Sequence, residues 1–288
     1  MPQLGFDGMP RRLYPCTPSR LRAWLDCPRR YRMTYLERPM PPKGPPWAHN
    51  SFGASVHNAL AGWWRLPLSE RDPPAAVRLL ERGWISEGYA DGVQSLRQLD
   101  RAKAMVERYV SALDPAVEPV GVERTVATKT DLIAVSGRID RLDDRQAPAG
   151  PSDAGRSLVV VDYKTGRASI SEQDARGSMT MALYALAAGR VLRRPCLTVE
   201  LHHVPTGQVA RWEHTPESLG RHLRRAEDIA GECAAADATY ASGEESGRGD
   251  EAFPATPGGW CGWCDFRAHC AEGQAAAPAR RPWDSLAD

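Results

Sequence analysis

The nine residues Leu158-Val159-Val160-Val161-Asp162-Tyr163-Lys164-Thr165-Gly166 constrain this chain more than any others. A short apolar run rich in β-branched residues, closed by a glycine turn, reads as a buried strand. Alternation along a strand places Asp162 and Lys164 on one face of its sheet. An acid and a lysine side by side at a strand end can hold a divalent cation and orient a water against a phosphodiester, the lysine offsetting the negative charge that develops. Taken alone, such a pair is most often a solvated ion pair.

The surroundings define the fold class. Thr17 followed by Pro18 is an N-cap and first helical position, and Leu21, Trp24, Leu25 and Tyr31 recur behind it at helical spacing, so a first helix carries Cys27. The proline-rich run 39–46 ends it. Helical patterns follow at 51–64, 74–89 and 95–113, which makes residues 17–113 a helical part. The period then shortens, with strands expected at 120–128, 132–142 and 158–163, and a flexible Pro/Gly/Asp-rich loop at 144–156. A helix at 171–192, strands at 197–204 and 208–214, and a helix at 216–240 complete a catalytic part over 117–240. The expected fold is α/β, a mixed central sheet flanked by helices. Residues 241–259 read as a linker, 260–270 as a compact cysteine segment, and 274–288 as a disordered tail, so that 1–273 form one domain.

Composition excludes several classes. The 37 Lys and Arg balance 36 Asp and Glu, so the chain cannot hold nucleic acid by bulk charge, and any contact must be local. One local excess exists: the first 38 residues carry Arg11, Arg12, Arg20, Arg22, Arg29, Arg30, Arg32 and Arg38 against Asp7, Asp26 and Glu37. That stripe suits a phosphate backbone, or is a solvated face. No signal-type apolar core opens the chain, and the apolar stretch 182–192 is too short to span a bilayer, so a cytoplasmic protein without membrane contact is expected. No Gly-x-x-x-x-Gly-Lys-Ser/Thr loop is present, which leaves the chain without an ATP-driven motor.

Two further residues point toward the Asp162–Lys164 pair. Ser136-Gly137-Arg138-Ile139-Asp140 brings a second carboxylate one strand earlier, and two carboxylates on neighbouring strands form a hard-oxygen site suited to Mg2+ or Mn2+. Asp140 also sits among Arg138, Arg141, Asp143 and Asp144, where a surface acid is equally at home. His57 shares its helix face with Leu60, Ala61 and Trp64, and a histidine there is more often a core residue than a ligand. Glu123 is a possible extra carboxylate.

Cys261-Gly262-Trp263-Cys264 and Cys270 place three thiols within ten residues. In a reducing compartment seven cysteines suit free thiols and metal ligation better than a disulfide framework, and this density indicates a soft metal centre. Three local ligands need a fourth. Cys16, Cys27 and His269 are available, whereas Cys196 and Cys233 look like buried core thiols.

Taken in order, Cys27-Pro28, Phe-Gly-x-x-x-His at 52–57, Gly137-x-x-Asp140 and Asp162-x-Lys164-Thr165-Gly166 resemble the RecB-like branch of the PD-(D/E)xK nucleases, over about residues 17–270. That branch includes the RecB and AddB nuclease domains and the CRISPR-associated adaptation nucleases. The resemblance implies a deoxyribonuclease, an exonuclease in DNA repair or recombination, acting on single strands or DNA ends with a separate helicase where unwinding is needed. It implies metal binding by His57, Asp140, Asp162 and the Tyr163 carbonyl, with Lys164 positioning or activating water. The family's Gln-x-x-x-Tyr motif is met by Tyr184, but Thr180 stands where glutamine is expected, and Tyr184 also suits the core. Cys27 is the matching fourth thiol for Cys261, Cys264 and Cys270, and the implied centre is a 4Fe-4S cluster, with a structural Zn2+ as the competing occupant. Such a centre would staple most of the chain into one loop. It would set Arg29 and Arg30 beside Trp260, Trp263 and Phe266, either to grip a single strand or merely to shield the metal. The rival reading is an inactive DNA-binding or scaffold module with the same fold and cluster.

Overall fold

The computed structural model of the protein describes residues 13–146, 155–242 and 251–286. Its centre is a mixed sheet of six strands: β1 Tyr14–Cys16, β2 Gly121–Lys129, β3 Ile133–Gln146, β4 Arg156–Lys164, β5 Thr198–His203 and β6 Gln208–Glu213, ordered β1-β3-β4-β5-β6 with β2 also paired to β3. β4 is buried from Leu158 to Val161. On one face Val159, Val161 and Tyr163 pack under α3 (Ala48–Trp64), α4 (Pro73–Arg82) and α5 (Gly92–Ser111). On the other face Leu158 and Val160 pack under α7 (Met179–Leu192). A strand covered on both sides has no polar face to offer, which is why its run is unbroken by charge until Asp162. A third cluster joins α1 (Pro18–Asp26), α2 (Pro28–Tyr35) and α8 (Pro216–Ala241) through Leu21, Tyr31, Ile229 and Cys233.

Pairing along β3 creates the feature that matters for the site. Val135 pairs with both Cys16 of β1 and Thr128 of β2, and Arg141 pairs with both Val122 of β2 and Val161 of β4. A strand has two edges, so β1 and β4 must share one, and β2 runs along the other. β1 covers that shared edge only at 133–135 and β4 only at 141–146. The stretch 136–140 between them is left as a notch in the sheet.

Several expected elements differ. The first helix is two, because Pro28 has no N–H to donate and disfavours helical backbone in the residue before it. Cys27 is accordingly extended, with φ −170° and ψ 111°, and forms the elbow between α1 and α2. The helix expected at 171–192 is broken at Ser178, separating α6 (Glu172–Gly177) from α7; Ser171 with Asp174 forms a capping box on the first, and Ser178 caps the second by accepting from Met181 N. The helix expected at 74–89 ends at Arg82, before Gly83. The three-residue β1 was not expected, being too short to show a period. Of the expected loop at 144–156, residues 147–154 lie outside the described residues, while 144–146 and 156 belong to β3 and β4, where Asp144 binds Arg156 and Arg194.

The linker and tail are corrections as well. Residues 243–250 of the expected linker lie outside the described residues, but Phe253 is fully buried against Trp24 and Tyr31, and Pro254 accepts a hydrogen bond from Arg29 N. The tail is ordered as far as Leu286: α9 (Ala271–Ala276) starts it, Pro282 accepts from Ala48 N, and Leu286 is buried with its carbonyl on Gln98 Nε2 at 3.0 Å. Trp283 and Leu286 anchor a segment whose average composition suggested disorder. Among the described residues no helix is long and apolar enough to cross a membrane.

Candidate active site

The notch in β3 opens onto a cleft of about 670 Å3 walled by α3, β2, β3, α7 and the start of α1. β2 and β3 each deliver one acid to it, Glu123 and Asp140, while Asp162 of β4 is not among its lining residues. Extending the β3–β4 register by one residue beyond Arg141↔Val161 sets Asp140 opposite Asp162, where the ladder stops. In place of a ladder bond, the Tyr163 N–H donates to Asp140 Oδ2 at 2.9 Å. Residues opposed across antiparallel strands share a face, so the two carboxylates lie on the same side. Lys164, two residues on, reaches Asp162 Oδ2 at 2.6 Å.

His57 enters from α3. Its Nε2 donates to the Tyr163 carbonyl at 3.1 Å and its Nδ1 faces Asp140 Oδ2 at 3.3 Å. Both partners are acceptors, so the ring satisfies both only as imidazolium. Burial works to lower its pKa, but the Asp140 carboxylate, followed by Asp162 and Glu123, raises it on balance. Burial pushes the Asp162 pKa up, with Asp140 adding to the rise and Lys164 opposing it. A carboxylate so placed gains from an added cation.

Glu123 is the member that sequence reasoning underweighted. It lies opposite Asp140 where the β2–β3 pairing lapses, between Val122↔Arg141 and Arg124↔Ile139. Its φ is +51°, a left-handed conformation costing a non-glycine residue roughly 1–2 kcal/mol. Such strain persists where surrounding structure imposes it, and it gathers at functional sites. Ligand atoms of His57, Glu123 and Asp140 all lie within 4.8 Å of one another. Arg138 Nε holds Glu123 Oε2 at 2.8 Å. The donor set of one imidazole and several carboxylates suits a hard divalent ion.

Tyr184 from α7 also lines the cleft. Its ring lies over Gly137 so closely that a Cβ there would be 2.4 Å from Tyr184 Cε1. Thr180 does not line this cleft.

Behind the sheet runs a buried polar chain that sequence inspection did not identify. Asp143 binds Arg141 at 2.9 Å and Arg145 at 2.6 Å, Arg145 binds Glu200 at 2.7 Å, and Glu200 accepts from His202 Nε2 at 2.9 Å. His202 Nδ1 accepts from the Tyr109 hydroxyl at 2.7 Å. Burial lowers the His202 pKa, which keeps the ring neutral and in the tautomer these two bonds require. Arg141 also stacks over Trp64, 4.9 Å from the ring centre, and Trp64 Nε1 donates to the Tyr163 hydroxyl at 3.1 Å. The chain therefore braces the side chain of Tyr163, whose backbone carries the carbonyl and N–H that meet His57 and Asp140. The network's charged members alternate along β3 (Arg141, Asp143, Arg145) and β5 (Glu200, His202), and only the assembly of the sheet brings them together.

The cysteines converge on a second cavity, of about 530 Å3, lined by Cys27, Cys261, Cys264 and Cys270 together with Arg29, Arg30, Trp260, Trp263 and Phe266. Gly258 N and Gly273 N point at the sulfurs of Cys261 and Cys270 at 3.4 and 3.3 Å. His269 faces away, its Nε2 donating to the Pro42 carbonyl. Cys16, Cys196 and Cys233 are core thiols, pushed by burial up to about 11, 12 and 12. Phe266 is fully buried and Arg29 is paired with Glu272, whereas Trp260 is 57% exposed.

A search of the curated proteins returns no match to the chain. The profile of the PD-(D/E)XK nuclease superfamily matches residues 15–271, from β1 to the cysteine segment. Nucleases of this superfamily use divalent metals, and the cluster of His57, Glu123 and Asp140 meets that requirement. With a mixed six-stranded sheet flanked by helices and with acids from adjacent strands meeting at its notch, the chain belongs to the PD-(D/E)XK nuclease superfamily.

Proposed function

We propose that the protein is a metal-dependent deoxyribonuclease of the RecB-like kind, an exonuclease serving DNA repair or recombination. The observation that carries this reading is the meeting, around one backbone segment, of Asp140, His57 and the Tyr163 peptide, with Asp162 and Lys164 alongside. His57, Asp140, Asp162 and the Tyr163 carbonyl would hold Mg2+ or Mn2+, and Glu123 is placed to join them. A divalent ion there polarises the scissile phosphate and makes a bound water more acidic. Lys164 holds its ammonium beside Asp162, where it orients the attacking water and offsets charge on the phosphate. Tyr184 orients the strand across the notch. Where unwinding is needed, a separate helicase would supply it.

Cys27, Cys261, Cys264 and Cys270 would hold a 4Fe-4S cluster. A single zinc ion, with Zn–S bonds of about 2.3 Å, draws four sulfurs tightly together, whereas among the described residues the group of three or more ligand atoms lying within 4.8 Å of one another is His57, Glu123 and Asp140, with no cysteine in it. Backbone N–H groups aimed at two of the sulfurs are also suited to a cluster, whose potential such bonds tune. A cluster here ties the elbow of α1 and α2 to the C-terminal segment.

The test is cleavage of single-stranded and duplex DNA, with free and with blocked ends, in Mg2+ or Mn2+. Loss of product in Asp162→Ala and Lys164→Ala proteins supports the assigned site, and cutting that survives both substitutions rules it out. Binding without cutting by the wild-type protein favours the inactive DNA-binding reading. Iron and sulfide in a brown anaerobic preparation support the cluster, whereas a colourless one with stoichiometric zinc rejects it.

A further inference from the structure

A second cleft, of about 550 Å3, lies against the turn that follows Lys164, between the start of α3, α5 and the C-terminal segment. Its polar lining includes His49, Asn50, Arg101, Thr165, Gly166 and Arg167, and it contains no carboxylate among the described residues. The metal cleft differs in kind, being lined by Glu123 and Asp140. Gly53 lines both clefts. A Cβ at Gly53 would lie 3.2 Å from Thr165 Oγ1, so the saddle between the clefts is low because the helix has no side chain there.

The turn itself is held in place. His203 Nε2 donates to the Gly166 carbonyl at 2.8 Å, and its Nδ1 bonds the Thr206 hydroxyl at 2.8 Å. Arg101 is exposed, has no acidic partner among the described residues, and lies over the Phe52 ring, 6.0 Å from its centre. A guanidinium left without a carboxylate beside a cleft that excludes acids is suited to a phosphate.

We infer that this second cleft carries the phosphate backbone of a DNA strand away from the cleavage site, with Arg101 contacting one phosphate beyond the Gly53 saddle. The inference rests on the nuclease reading. A strand lying over Asp140 and Asp162 meets Lys164 and then the braced 165–167 turn, and its next phosphates come to a cation-lined channel. Bulk charge does not attract DNA to a chain of net charge +1, so affinity must be concentrated in places of this kind.

The test compares wild type with Arg101→Ala by fluorescence anisotropy on a short single-stranded oligonucleotide, in calcium, or in the Asp162→Asn background should calcium support cutting. Arg101 is on the surface and its loss leaves the core intact. The Kd should rise about tenfold or more, the loss of one charge-assisted bond. The slope of log K against log salt should become shallower by about 0.7. Oligonucleotides with one methylphosphonate at successive positions locate the contact: at one position the neutral linkage weakens wild type and leaves Arg101→Ala unchanged. Equal affinities and slopes, or methylphosphonates that weaken both proteins alike at every position, overturn the proposal. If wild type neither binds nor cuts DNA, the nuclease reading falls and this proposal with it. If wild type cuts, Asp162→Ala does not, and Arg101→Ala binds normally, the second cleft alone is refuted.

Discussion

Replacing Gly137 by alanine tests whether the notch is shaped by a single close approach. The added methyl would sit 2.4 Å from Tyr184 Cε1 and 3.1 Å from its Cζ and hydroxyl, against an ordinary carbon–carbon contact of about 3.5–4.0 Å. The ring must withdraw by roughly 1 Å. It cannot take α7 with it, because Met181, Leu183 and Ala185 beside it are fully buried, and close-packed interiors yield little. Overpacking of this kind costs about 1–3 kcal/mol, which at roughly 2–4 °C per kcal/mol lowers the Tm by about 2–12 °C. Thermal denaturation followed by circular dichroism measures it. Tyr184→Ala removes the obstructing ring, so the double variant should lose less stability than the two single losses added together, by about 1–3 kcal/mol. Additivity within about 0.5 kcal/mol, or a Gly137→Ala protein that melts with wild type, refutes the account. Cleavage should fall in Gly137→Ala as well, since the displaced ring lies in the cleft.

Two pH effects follow from the same geometry. His57 has a raised folded-state pKa, so in metal-free protein its contribution to stability is fully present below the ordinary histidine value of about 6.5 and is lost as pH rises through the raised value; denaturant melts at stepped pH should show that loss, and His57→Ala should flatten it. Titrations of Mn2+ in buffers of different ionisation enthalpy should show proton release on binding in wild type and less in His57→Ala. Glu200 behaves oppositely: burial works to raise its pKa, but His202 and Arg145 hold it down at about 2. Its contribution, on the order of 3 kcal/mol by linkage, is present above about 4.5 and disappears as pH falls toward 2. Glu200→Gln should melt earlier at neutral pH and show a shallower acid slope in that window, and an unchanged acid slope would show that the chain behind the sheet carries no such weight.

Much of the candidate site was legible because its proposed members follow strand chemistry. Asp162 and Lys164 lie two apart at the end of a run that could only be a buried strand, and Asp140 follows Gly137 on a recognisable neighbour. The order of these motifs carried the family resemblance even where each alone resembled a solvated charge. His57 looked like a core residue from its helical neighbours and stood beside the acids only through the family resemblance; its approach to Asp140 comes from α3 lying against the sheet. Glu123 was indistinct because alternation cannot show a backbone forced to a φ of +51°.

The sequence by itself determined the main periods, helical up to 113 and then alternating strands and helices to 240, and which thiols crowd together at 261–270. Those are local properties, set by sterics and by the spacing of apolar residues. Tertiary structure alone decided that β1 and β4 share one edge of β3 and leave a notch at 136–140. It decided that Cys27 meets thiols more than 200 positions away, and that Trp283 and Leu286 pin down a tail of disordered composition. Contacts between distant segments depend on how layers pack and which edges pair, and no short window of sequence records that.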